Sequence, residues 1–153
     1  MGAWGVKALE SDAGLDVVDF LEMFYKGKTK LVLSDILVAF IVEGFLGQTR
    51  AEIDFYFDNT AIALTELYLM FQETGELDYD HEDECISLRK KTAFVSDPES
   101  LELLFQYLMD IKNEKPDEDG EREFVELWKD SPSYEKWKAH LENLSIKLKK
   151  ELN

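Results

Sequence analysis

The chain of 153 residues has a single cysteine, Cys85. An internal disulfide is therefore excluded, and the usage fits a reducing compartment. Histidine is nearly as scarce, with only His81 and His140. No Gly-x-Ser-x-Gly elbow occurs, and Cys85 has no basic activator in its own segment, so no catalytic residue is predicted. No P-loop and no Gly-x-Gly-x-x-Gly is present, which excludes nucleotide binding through those motifs. A basic leader followed by an apolar stretch is also missing. The most apolar run, LVLSDILVAFIVEGFLG, is broken by Asp35 and Glu43 and is too short to span a bilayer. These absences predict a cytoplasmic protein without membrane contact.

Positive charge is the other shortage. Lys and Arg total 17 against 33 Asp and Glu, a net charge of −16. Nucleic acid and anionic membrane surfaces repel such a chain, whereas basic proteins and cations are attracted.

Hydrophobic residues make up 45% of the chain, enough for a core without staples. The length predicts one compact domain over 1–153, with no repeat and no domain-scale linker. The patterning predicts an all-α fold of about six helices. Ser11 or Asp12 caps a first helix carrying Leu15, Val18 and Leu21, which ends near Gly27. A second, from about Leu31 to Phe45, is apolar nearly all round and is expected at the centre, stopping at Gly47. Its β-branched content leaves a strand as the minor alternative. The capping box TRAE, with Thr49 and Glu52, starts a short helix to Phe57. DNT then breaks it and caps another, from Ala61 to about Glu73, closed by Gly75. ISLRKKTAFV, near 86–95, suits a short strand or an irregular connector. SDPE places Ser96 at a cap and Pro98 in a first turn, followed by the stripe Leu101, Leu104, Phe105, Leu108 and Ile111. A short helix around Phe124–Lys129 precedes a last one, whose Tyr134, Trp137, Leu141, Leu144 and Leu148 form an a/d seam. Used between copies, that seam gives a weak homodimer; otherwise the chain is a monomer.

Metal chemistry finds little support. Counted from Asp78, the sixth and twelfth places of an EF-hand loop hold Asp83 and Arg89 instead of Gly and Glu. The Glu-x-x-His pattern of carboxylate-bridged bundles is absent from the helices. No metal and no cofactor is predicted.

The acids are unevenly placed. From Ala51 to Leu88 there is no Lys or Arg, and aromatic residues alternate with the carboxylates. Glu52, Asp54, Tyr56, Asp58, Glu76, Asp78, Asp80, Glu82, Asp83 and Glu84 are the candidate partner-binding residues. Acids steer a cationic partner and aromatics anchor it. An inhibitor of a basic enzyme, of the kind that confers immunity to a toxin, needs this mixture.

The opening, MGAWG, is followed by Leu9, the pair Ser11–Asp12 and LD on the first helix. This resembles a bacterial family whose members begin Met-Gly-x-Trp-Gly, the domain of unknown function four-two-five-nine. DNTAIALTEL resembles that family's middle segment, and LWKD with YEKWKAHLENLSIKL its last helix. Leu9 and Ser11 depart from the family's aromatic residue and Asn. The resemblance implies a small, mostly helical bacterial protein and carries no reaction with it. On physical grounds, Trp4 supplies a large apolar anchor to an end that otherwise frays. It either fills a groove between the first and last helices or lines a ligand pocket with Asp12 as its polar group. The leading expectation is a non-enzymatic interaction protein for a basic partner. The alternative is a small ligand-binding protein or enzyme with its pocket at Trp4 and Asp12.

Overall fold

The computed structural model describes residues 5–77 and 86–153. The fold is all-α. A short 3-10 turn (Ala8–Glu10) leads into α1 (Asp12–Phe24), then β1 (Lys30–Val32), α2 (Leu33–Val42) and α3 (Phe55–Thr74). A single-turn α4 (Ile86–Arg89), β2 (Ala93–Val95), α5 (Pro98–Lys112), α6 (Glu123–Lys129) and α7 (Tyr134–Leu152) complete it. No helix among the described residues is long and apolar enough to cross a membrane.

The stretch near 86–95 is both connector and strand. β2 pairs in parallel with β1, Leu31 opposite Phe94. The start of the apolar run, Leu31 and Val32, is thus the strand, and the helix behind it carries most of the β-branched residues. Lys91, just ahead of β2, is buried and donates to the carbonyls of Tyr25 and Lys28. That contact closes the C-terminal end of α1, where unpaired carbonyls favour a cation.

Four boundaries differ from expectation. α2 stops at Val42 because Gly44 turns the chain with φ 83°. TRAE forms a turn and no helix. DNT breaks nothing: α3 runs through it, capped by Asp54, whose carboxylate accepts from Tyr56 N–H at 2.9 Å. The three polar residues survive in the helix because Asp58 and Asn59 find partners far away in sequence. Arg122 grips Asp58 with two hydrogen bonds of 2.7 and 2.8 Å, and donates a third to the Lys115 carbonyl at 2.9 Å. Both side chains are buried. Burial pushes the Asp58 carboxyl above the ordinary aspartate value, and Arg122 opposes that rise. At α5 the cap is Asp97, accepting from Ser100 N–H at 2.9 Å, one residue after the expected Ser96. Ser96 instead meets the Tyr68 hydroxyl at 2.9 Å.

The central helix is α3, where every residue from Asp58 to Leu69 is buried. It touches α1, the 3-10 turn, α5, α6, α7 and β2. α2 lies at the periphery instead, with Val38 and Val42 exposed by 61% and 73%. α5 buries Leu101, Leu104, Leu108 and Ile111 on the expected stripe. α7 buries Trp137, Leu141, Leu144 and Leu148 and packs along α5, so its seam is occupied within the chain.

Two predictions follow from these buried polar groups. The Tyr25 hydroxyl is buried without a hydrogen-bond partner among the described residues. Burial, with Asp35 nearby, lifts its pKa to about 12. A raised value means the folded state holds the proton harder, so this stability is complete below about pH 10 and is lost as pH rises through about 12. Tyr25→Phe should unfold at equal or higher urea at pH 7, by up to about 1 kcal/mol, and lose less stability than wild type above pH 10. Asp58→Asn leaves the Arg122 guanidinium buried without a counter-charge. It should cost about 3–5 kcal/mol in urea unfolding, and adding Arg122→Met should cost less than the sum of the single changes.

Candidate functional site

The N-terminal segment is strapped to the helices by one carboxylate. Glu66, in the middle of α3, accepts from the N–H groups of Ala8 at 2.8 Å and Leu9 at 2.9 Å. His140 Nε2, from α7, lies 2.7 Å from the same carboxylate. No cation lies near Glu66 in its own sequence, so burial is compensated by two backbone donors and an imidazole. The strap then enters α1 through Ser11. Its hydroxyl donates to the Ala8 carbonyl at 2.6 Å and accepts from Gly14 N–H at 3.1 Å, capping the helix. Gly14 permits this fold-back: a β-carbon there would stand 1.8 Å from the Ala8 carbonyl oxygen.

Between the strap, α1, α3, α6 and α7 lies a cavity of about 220 Å³. Its walls are aromatic: Phe55 and Tyr56 from α3, Phe124 and Trp128 from α6, Trp137 from α7. The two indoles stack 5.5 Å apart at 7°, and Phe124 meets Trp137 edge-on at 5.8 Å. Asp12 and Asp16, one turn apart on the exposed edge of α1, give the cavity two carboxylates. Lys7, also exposed, gives it one ammonium.

Asn59 completes the lining from α3 and is only 3% exposed. Its amide nitrogen faces the Ser11 hydroxyl at 3.4 Å. The Ser11 proton is already given to Ala8, so Asn59 must present its N–H₂ to that oxygen. The Asn59 carbonyl oxygen accepts no hydrogen bond among the described residues. It is not among the fully enclosed atoms left without a partner, and Asn59 lines the cavity.

The residues expected from sequence fall into separate places. Asp12, expected at a ligand pocket, lines the cavity, and Tyr56, expected on a partner-binding face, lines the same cavity while 54% exposed. Glu52 and Asp54 are exposed just ahead of α3, where Glu52 accepts from Gln48 N–H at 3.1 Å. Asp58 is withdrawn from any outer face by its buried pairing with Arg122. Glu76 is exposed beyond the other end of α3, some 30 Å from Tyr56 at the helical rise, and does not join the first group. Trp4, Asp78, Asp80, Glu82, Asp83 and Glu84 lie outside the described residues. Asn59, Glu66 and the two C-terminal tryptophans were not anticipated as site residues; the partners of Asn59 and Glu66 stand far off in the chain, and no local motif marks any of the four. Among the described residues no three His, Cys, Asp or Glu side chains converge as a metal site.

The family model described as Domain of unknown function (DUF4259) matches residues 2–140, so the chain belongs to that family. No curated protein and no solved structure matches it.

The close approach at Gly14 gives a direct test of the strap. Gly14→Ala forces the Ala8 carbonyl away and should cost about 1–3 kcal/mol in urea unfolding. Amide hydrogen exchange at Ala8 and Leu9 should accelerate in the same variant, because those N–H groups lose their hold on Glu66.

Proposed function

We propose that this member of the DUF4259 family is a binding protein for a basic partner protein, one cationic side chain of which enters the cavity beneath Asp12 and Asp16. The observation that carries the reading is the lining: stacked and tilted aromatic rings with two carboxylates on one helix edge. A cation over an aromatic face is held by the ring's negative quadrupole, and the carboxylates add attraction at its rim. The net charge of −16 steers a basic partner toward the molecule and turns phosphate backbones away. Exposed Glu52 and Asp54, ahead of the helix that carries Tyr56, extend negative charge along that approach. An immunity-type inhibitor of a basic enzyme would work in this way.

A free small molecule is the second reading, favoured by Asp12 lining the cavity. Size favours the first. Sites for small ligands span about 300–1,000 Å³, whereas this cavity holds about 220 Å³, room for one side chain. Among the described residues its lining holds aromatic rings, two carboxylates and one ammonium, a set suited to holding a cation.

Asp12→Asn with Asp16→Asn tests the reading. Proteins retained by the immobilised chain at low salt and released by high salt are identified, and their affinity is measured for wild type and the double variant. Each carboxylate contributes about 0.7 kcal/mol at a rim, so affinity should fall roughly tenfold and its salt dependence should flatten. Equal affinity for both proteins, or retention insensitive to salt, overturns the proposal.

A further inference from the structure

We infer that Asn59 makes the cavity selective for a planar, N–H-bearing cation, so the group it takes is the guanidinium of an arginine side chain. This rests on the reading above and adds to it the chemical identity of the guest. Aromatic walls with carboxylates at the rim attract any organic cation, including one with no hydrogen to donate. The Asn59 carbonyl changes that. It belongs to a side chain 97% buried by its 3% exposure, with its amide nitrogen committed to Ser11. Its oxygen has no internal donor among the described residues, and the residue lines the cavity. A guest that covers this oxygen and brings no donor strands it, and an unpaired buried acceptor is costly.

Guanidinium suits this arrangement better than a primary ammonium. Its plane stacks on aromatic faces, and its five N–H groups point in several directions along one fork. Asn59 projects from α3, while Asp12 and Asp16 stand on α1. A fork can donate to the deep carbonyl and still face a rim carboxylate; a point charge on a flexible stem reaches fewer of them. Lys7 is the internal competitor for the same acceptors. Its single ammonium leaves one of the two carboxylate charges unbalanced, so the cavity keeps a net attraction for a cation.

The test uses the full chain and three small probes: methylguanidinium, its neutral isostere methylurea, and tetramethylammonium. Binding is read from the indole N–H signals of Trp128 and Trp137 in two-dimensional NMR spectra. Methylguanidinium should bind about tenfold more tightly than tetramethylammonium, the worth of one satisfied buried acceptor. Methylurea should bind more weakly than methylguanidinium. In Asn59→Leu, close in size but without an acceptor, the two cations should bind equally, through loss of guanidinium affinity alone. In Asn59→Asp, which keeps an acceptor at that place, the preference for guanidinium should persist or grow; this variant carries the test if Leu prevents folding. Lys7→Met should tighten both cations alike. Equal binding of the two cations to wild type, or a preference that survives in Asn59→Leu, overturns the role of Asn59 and leaves the cavity's affinity for cations standing. Methylurea binding as well as methylguanidinium, or no shift with either cation, overturns the cation pocket itself.

Discussion

One carboxylate organises the N-terminal half of this molecule. Glu66 sits in a helix buried on all sides and takes two backbone N–H groups from the strap and one imidazole from α7. The cost of enclosing two carboxyl oxygens is met by hydrogen-bond partners from elements otherwise far apart in the chain. The strap's position then decides how Ser11 caps α1, where Asp12 and Asp16 stand, and what forms the near wall of the aromatic cavity. The cavity is thus a by-product of how the chain end is tied down.

The same logic recurs along α3. A fully buried helix is usually apolar all round. Here Asp58, Asn59, Thr65 and Glu66 are buried in it, each with a hydrogen-bond partner. Arg122 to Asp58 ties the charged 113–122 connector to the helix, and Glu66 ties down the N-terminal strap. The polar groups select which segments lie against α3; apolar area alone would accept many arrangements. Such pairs add less to stability than their number suggests, because each charge had to be stripped of water first.

Much of the architecture was legible from local signals. The stripe of α5 and the seam of α7 repeat at helical spacing, and Gly75 ends α3 with φ 75° as a left-handed cap. What local reading could not supply was the fate of Asp58, Asn59 and Thr60. A polar triplet looks like a helix stop whether it meets water or a partner 64 positions away. The apolar run at 31–45 was misplaced at the centre for the related reason that hydrophobicity does not say which of two apolar helices is covered. Asp12 could be singled out because it sits at a cap next to an unusual opening. Asn59 could not, since its meaning comes from a cavity assembled out of the strap and four helices.

The Glu66–His140 contact joins positions 74 apart, and the contacts of Glu66 with Ala8 and Leu9 join positions 58 and 57 apart. A chain made from its N-terminus therefore meets these partners in sequence. The strap can dock on α3 as soon as that helix is made, but the imidazole arrives only with α7. Until then the carboxylate stays open to water on that side, and the tryptophan walls of the cavity are still to be built. Completion of the site is thereby timed to α7, which brings His140 to the carboxylate and Trp137 to the cavity.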